Sequence, residues 1–309
     1  LEEANYWLED GKIRFSPSHA KRAEGVFKEL FPLYGQLTVD KFTPEFMSKY
    51  QRSEVGKGLS VATVNRKCEV ILAILNHSVR HRRIPFNPAM GFQKLRKNPT
   101  DMKFWNPDDA LDFLACMKKE YPSDHSMHWV YVVYLLALNT GMRAGEIWGL
   151  RVLDLSHDLE TLKVRHQFNR VTNQFSFTKG RNARLVPCPP ILRNELLALK
   201  ESNGLGNMDT FFRNENGQPI CHDNYSKRQF QKDLEIWGKE PKIRFHDLRH
   251  TAITLMISKN IDIKTVQSIA GHADISTTMG YIHLIQGSVN KVAQTFSVEP
   301  KAENTGSSQ

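Results

Sequence analysis

The stretch His246-Asp247-Leu248-Arg249-His250-Thr251-Ala252 decides between two kinds of chain. Two histidines four residues apart share one face of a helix, which is how H-E-x-x-H zinc proteases present their ligands. Here, however, the second position is Asp247, one methylene shorter than the glutamate such sites use as a base. The fixed charge of Arg249 also lies between the histidines on that face. A guanidinium there repels a dication. The cations of the stretch point to an anion as the ligand, with no metal, and the rest of the chain has to say which anion.

The 309 residues suit about two domains, each large enough to bury a core. A composition of 40% hydrophobic and 24% charged residues is that of a soluble globular protein. The longest apolar run, Trp129 to Leu138, falls short of the roughly 20 residues a bilayer requires. No signal peptide is visible, and the start at Leu1 rather than Met fits a fragment of a longer reading frame. Cys68, Cys116, Cys188 and Cys221 lack C-x-x-C spacing and read as reduced thiols of a cytoplasmic protein. The net charge of +9 favours a polyanionic partner, and its distribution says more than its size. Between Lys57 and Lys103 ten basic residues face two acidic ones, a local +8.

The first hundred residues read as helices. Ser16-Pro17 and Thr43-Pro44 are N-cap and N1-proline starts, and after Ser60 an apolar stripe runs through Val61, Val64, Cys68, Ile71, Leu72, Leu75 and Val79. Arg66, Lys67 and Arg80 lie off that stripe, turned to solvent or to a phosphate backbone. Arg82, Arg83, Lys94, Arg96 and Lys97 extend the basic stretch, and together these eight are the candidate DNA-binding residues. Taken alone, the basic face of one helix is more often simply solvated.

Prolines at 85, 88 and 99 punctuate the next segment, and a new helix starts at Asn106-Pro107. This places a helical domain at 1–97, a linker at 98–104, a second domain at 105–290 and a polar tail, partly disordered, at 291–309. In the second domain an apolar helix over Trp129–Leu138 precedes short strands at Leu162–Phe168, Gln174–Thr178 and Arg184–Val186. Helices are expected at 189–200, 222–237, 246–259, 262–270 and 275–284. The fold class is therefore mostly α with a small antiparallel β-sheet. Nucleotide-dependent chemistry finds no support: there is no G-x-x-x-x-G-K-[ST], and Gly204-Leu205-Gly206 reads as a turn.

Several side chains could carry chemistry, and each has a plainer reading. Arg143 follows Gly141 at a helix end, where arginines commonly cap; Lys179-Gly180 falls on a hairpin tip, where lysines are commonly solvated. His272 follows a glycine of C-cap type, and Tyr281 lies in a helix, where a tyrosine is by default a core residue. Their combination and order change the weighing. Thr140-Gly141-Met142-Arg143-Ala144-Gly145-Glu146, Lys179-Gly180 with Arg184-Leu185-Val186-Pro187, His246-Asp247-Leu248-Arg249-His250, and Gly271-His272 through Gly280-Tyr281 resemble, in this order, the signature of tyrosine recombinases of the phage-integrase family. The resemblance covers roughly residues 105–290. The helical module ending near Asn87-Pro88-Ala89 is similar, more loosely, to that family's core-site DNA-binding domain.

The resemblance implies a site-specific recombinase or integrase that cuts and rejoins DNA through a 3′-phosphotyrosine without metal, ATP or cofactor. The chemistry accounts for the residue types. In-line attack on a phosphodiester builds charge on the non-bridging oxygens, which Arg143 and Arg249 would clamp. A tyrosine with an ordinary pKa of about 10 needs a proton acceptor, for which His246 is the candidate, with His250 left a structural role. Lys179 would protonate the departing 5′-oxygen. By resemblance His272 hydrogen-bonds the phosphate, Glu146 orients the site and Tyr281 is the nucleophile. The same resemblance implies double-stranded DNA sites closed in a C-shaped clamp, a dimer per site and a tetramer in synapsis. It also implies accessory DNA-bending proteins as possible partners, and a nucleoid-associated place in a prokaryotic or phage setting. Apolar residues after Tyr281 (Ile282, Leu284, Ile285, Val289, Val292, Phe296) are candidates for docking on a neighbouring protomer or on their own subunit. A type IB topoisomerase and a catalytically silent DNA-binding protein on the same fold are the alternatives.

Overall fold

The computed structural model describes residues 2–96, 102–169, 171–177, 183–214, 216–220 and 222–282. The chain divides into two compact units, Leu1–Asp101 and Met102–Gln309.

Among the described residues the first unit has four α-helices, α1 (Glu2–Arg14), α2 (Pro17–Tyr34), α3 (Pro44–Gly56) and α4 (Val61–Arg80). Three of their starts are fixed by side-chain caps: Ser16, Thr43 and Ser60 each accept the backbone N–H three residues on, which satisfies one of the orphan donors of the first turn. The stripe of α4 buries Val64, Cys68, Ile71 and Leu75 against Trp7, Phe27, Met47 and Tyr50, while Val61, Leu72 and Val79 are only partly covered.

The basic face of this unit is less uniform than its sequence suggests. Lys67 is nearly buried, with its ammonium ion held by Glu29 and, at 2.7 Å, by the buried Glu54. Arg83 donates to Glu2 and Glu3 at 2.7 Å each, and Lys94 reaches Glu69 at 2.9 Å. Arg66, Arg80, Arg82 and Arg96 are exposed and have no carboxylate partner among the described residues. Lys97 lies outside the described residues.

The second unit opens with Trp105, fully buried, whose backbone N–H donates to Thr251 Oγ1 and whose indole N–H donates to the Pro241 carbonyl. Asn106 caps α5 (Pro107–Glu120), and α6 (His128–Thr140) follows as the central helix, apolar on all sides and buried along almost its whole length. Helices of that pattern lie inside a core. Around it pack α7 (Ala144–Trp148), α8 (Pro190–Ser202), α11 (Asp247–Ser258) and, further out, α12 (Ile263–Ala270) and α13 (Ile275–Met279). Residues 222–237 form α9 (His222–Asn224), a π-helical turn (Tyr225–Gln229) and α10 (Phe230–Trp237).

Two expected elements differ. The single strand read over Leu162–Phe168 is two, β1 (Thr161–Val164) and β2 (His166–Asn169), because the chain changes partner at Arg165. β1 pairs antiparallel with β4 (Arg184–Pro187), with Leu162 opposite Val186; β2 pairs antiparallel with β3 (Gln174–Phe177), with Phe168 opposite Phe175. The helix expected over 275–284 stops at Met279, where Gly280 caps it and the Tyr281 N–H turns back to the Thr278 carbonyl. Cys68, Cys116 and Cys188 are free thiols. Cys221 and the segment after Ile282, with its apolar residues and polar tail, lie outside the described residues. Among the described residues no helix is long and apolar enough to cross a membrane.

Candidate active site

The site grows from two helix ends that require the left-handed backbone. α6 ends at Gly141, with φ 62°, and α12 ends at Gly271, with φ 67°; glycine takes this conformation without the Cβ penalty other residues meet. At Gly271 a side chain has little room as well, since an added Cβ would lie 3.0 Å from the Arg184 guanidinium.

Three guanidiniums converge on the last turn of α12, one to each successive carbonyl. Arg184 Nε donates to Ile269 O at 2.7 Å, Arg249 Nη2 to Ala270 O at 2.7 Å and Arg143 Nη2 to Gly271 O at 2.9 Å. Arg249 also donates from Nη1 to Gly141 O at 2.7 Å. A helix C-terminus carries partial negative charge and unpaired carbonyls, so it is a natural holder for cations. The counter-charge is Glu146, which is 1% exposed. Its Oε1 accepts from Arg184 Nη1 at 2.9 Å and Arg143 Nη1 at 3.1 Å; its Oε2 accepts from Arg184 Nη2 at 2.6 Å and the Arg143 backbone N–H at 2.8 Å. Burial alone would raise the Glu146 pKa, but the hydrogen bonds and charge of Arg184, with those of Arg143, hold it below the ordinary value.

Arg249 is 4% exposed, and burial followed by the charge of Arg143 brings its pKa down to about 10, which leaves it cationic at neutral pH. His246 is lowered to about 4 by burial and by the neighbouring His250 and Arg249, and His272 to about 4 by burial and by Arg249 and Arg143. Both are therefore neutral imidazoles at physiological pH. His272 Nδ1 lies 2.9 Å from Thr278 Oγ1, and its ring is stacked with that of Tyr281, at 16° and 6.1 Å between centroids. Tyr281 is 3% exposed and packs with Ile253, Met256, Val266 and Ala270. Burial raises its pKa, and the charges of Arg249 and Arg143 oppose that rise.

The structure brings together Arg143, Glu146, His246, Arg249, His272 and Tyr281, and it adds two residues. Arg184 joins through Glu146 and the end of α12. His250 joins because its Nδ1 lies 2.6 Å from Tyr281 Oη. The sequence points to His246 as the acceptor and leaves His250 a structural role. In the structure His246 is the first residue before α11, its ring edge-on to that of His250 at 5.2 Å between centroids, and the residue one turn further on meets the phenol. The spacing of four was visible; which of the two histidines faces Tyr281 depends on how α11 and α13 pack. Arg184 stood in a recognised motif, but nothing local signals its pairing with Glu146, 38 residues away. Lys179 lies outside the described residues.

No described residues bring His246 and His250 together with a third metal-type ligand. The trio of such groups that does come together among the described residues, Asp10 with His77 and His81, is in the first unit. There Asp10 Oδ2 is already 3.1 Å from His77 Nε2 and 3.4 Å from an Arg14 nitrogen.

Comparison with known proteins fits this geometry. The model of the phage integrase family matches residues 103–287. Tyrosine recombinase XerC of Thermodesulfovibrio yellowstonii is 26% identical over 278 residues, covering 86% of this chain and 86% of that protein. The ICEBs1 integrase of Bacillus subtilis is 26% identical over 301 residues, covering 93% and 79%. Among solved structures, the Tn1549 transposon integrase in complex with transposon right end DNA superposes with a TM-score of 0.76 at 20% identity, covering 94% of this chain and 99% of that one. With its family model spanning well over half its length, this chain belongs to the phage integrase family.

Proposed function

We propose that this protein is a site-specific DNA recombinase that cuts and rejoins double-stranded DNA through a 3′-phosphotyrosine at Tyr281. The observation that carries the reading is the convergence of Arg143 and Arg249 on the α12 terminus beside a buried tyrosine whose hydroxyl is already hydrogen-bonded to an imidazole. Fixed guanidiniums beside a nucleophile suit a reaction whose charge develops on phosphate oxygens, because preorganised donors need not rearrange as the charge appears.

In this reading Arg143 and Arg249 bind the non-bridging oxygens and His272 and His246 add neutral donors to the phosphate. Glu146 and Arg184 position the two arginines without touching DNA, and Lys179 protonates the leaving 5′-oxygen. The phosphotyrosine keeps the bond energy of the broken phosphodiester for religation, so neither ATP nor metal is called for. Exchange between two duplexes cuts four strands. One nucleophile per strand then calls for four protomers, two on each site, and a DNA-bending protein would assist where the two sites must be brought together. Arg66, Arg80, Arg82 and Arg96 are the DNA-facing cations of the first unit, with Lys67, Arg83 and Lys94 engaged in ion pairs. The setting is the nucleoid in a prokaryotic cytoplasm, where the DNA substrate is, for a protein of prokaryotic or phage origin.

Strand exchange tests this reading against the topoisomerase alternative. Two duplexes that carry the same cognate site at different distances from both ends should yield recombinants of two new lengths, each the sum of one arm from either parent. Relaxation of supercoiled DNA without any recombinant product would assign the chain to topoisomerase chemistry instead.

A further inference from the structure

The contact between Tyr281 and His250 continues on the far side of the imidazole. His250 Nε2 faces Asp247 Oδ1 at 3.9 Å, and Asp247, 1% exposed, is clamped in turn by Arg244. Arg244 Nη2 donates to Oδ1 at 2.8 Å, while its Nε and backbone N–H donate to Oδ2 at 3.0 and 2.8 Å. A fixed carboxylate opposite Nε2 favours the tautomer that carries its proton there. In that tautomer the Nδ1 lone pair faces the phenol, and Tyr281 Oη donates across the 2.6 Å contact. Burial lowers the His250 pKa, with the Asp247 carboxylate opposing, so the ring is available as a neutral base. Arg244, Asp247, His250 and Tyr281 thus form one chain of contacts ending at the atom that would attack DNA.

We propose that His250, oriented by Asp247, is the base that takes the phenolic proton of Tyr281 during strand cleavage. This rests on Tyr281 being the nucleophile. As Oη bonds to phosphorus and the bond from phosphorus to the 5′-oxygen breaks, the proton of Oη passes to Nδ1. The 5′-oxygen takes its proton from a separate general acid, for which Lys179 is the candidate. The imidazolium so formed faces the Asp247 carboxylate, which stabilises it. On religation the same proton returns to Oη as the bond from tyrosine to phosphorus breaks. His246, edge-on to His250, is left to the phosphate.

The test is single-turnover formation of the covalent adduct by the full chain on a nicked cognate duplex. His250→Gln retains a polar side chain but has no useful basicity, so it should bind DNA normally and form the adduct about 10²-fold more slowly, the lower end for general base catalysis. Placing 3-fluorotyrosine at position 281 lowers the phenol's own pKa. It should restore about tenfold of that loss in the His250→Gln background and change the wild-type rate little. A structural role for His250 predicts no such recovery. Should His250→Gln fail to fold, His250→Ala with added imidazole supplies the same comparison through rescue. A His250→Gln rate within about threefold of wild type, or a loss that neither fluorotyrosine nor imidazole relieves in a folded variant, would overturn the assignment. Tyr281→Phe runs alongside as the control that separates the two readings. Adduct from that variant sinks the nucleophile itself, whereas its loss together with a fully active His250→Gln sinks only the base.

Discussion

Replacing Glu146 with Gln preserves the side chain's shape and removes its charge from beneath two guanidiniums. In the native site four donors meet two carboxylate oxygens: Arg184 Nη1 and Arg143 Nη1 at Oε1, Arg184 Nη2 and the Arg143 N–H at Oε2. A glutamine offers one oxygen and one NH2, so two of the four donors face another donor, in a place where the side chain is 1% exposed. Breaking a buried ion pair from one side costs about 3–5 kcal/mol, because the partner charge stays behind unpaired. For a domain of this size that lowers the melting temperature by roughly 6–20 °C. Equilibrium urea unfolding of the full chain measures it. The pH dependence carries its own sign. Glu146 has its pKa held below 4.5 in the folded protein, so its contribution is complete above about 4.5 and disappears as pH falls through the lower folded value. The variant should therefore show a flatter loss of stability in that acid range. A loss under about 1 kcal/mol at neutral pH would mean that Glu146 is not the counter-charge the arginines depend on.

Three further outcomes are expected. Neutralising Arg66, Arg80 and Arg82 together should flatten the log–log salt dependence of DNA binding by about 0.9 for each phosphate that these arginines neutralise. Lys67→Gln should instead lower stability, since its partner Glu54 is 3% exposed, and an unaltered slope in the triple variant would make that face merely solvated. Because Tyr281 meets a histidine on the same helix as Arg249 in its own chain, mixing Tyr281→Phe with Arg249→Ala should give no adduct. Adduct from the mixture would show the tyrosine working in a neighbour's site.

Much of the fold was legible because its signals are local. Ser16, Thr43, Ser60 and Asn106 lie where a short polar side chain precedes a helical stripe, and each caps a helix in the structure. Trp129–Leu138 read as a buried helix because it is apolar on every side. The split of Leu162–Phe168 was not legible, since it comes from a change of pairing partner and not from a change of residue type at Arg165. The site shows the same division. Gly141-Met142-Arg143 and Gly271-His272 announce helix ends with functional side chains, but three arginines on three successive carbonyls of α12 is a tertiary fact. The burial of Lys67 against Glu54 is likewise invisible in a helical wheel that shows it off the apolar stripe. The contact of His250 with Tyr281 is not legible for the same reason: the two lie 31 residues apart, and Tyr281 follows a helix that stops sooner than its sequence suggests.

The central claim is that Tyr281 attacks DNA, and one measurement meets it directly. On a nicked cognate duplex from which the 5′ fragment beside the cut diffuses away, in buffer containing EDTA, the wild-type chain should accumulate as an SDS-resistant complex. Peptide mapping of that complex should find the nucleotide on Tyr281. Tyr281→Phe, which removes only the attacking oxygen, should bind the same duplex with nearly unchanged affinity and give no complex. A covalent complex formed by Tyr281→Phe, or wild-type cleavage that stops in EDTA and returns with zinc, would contradict the account.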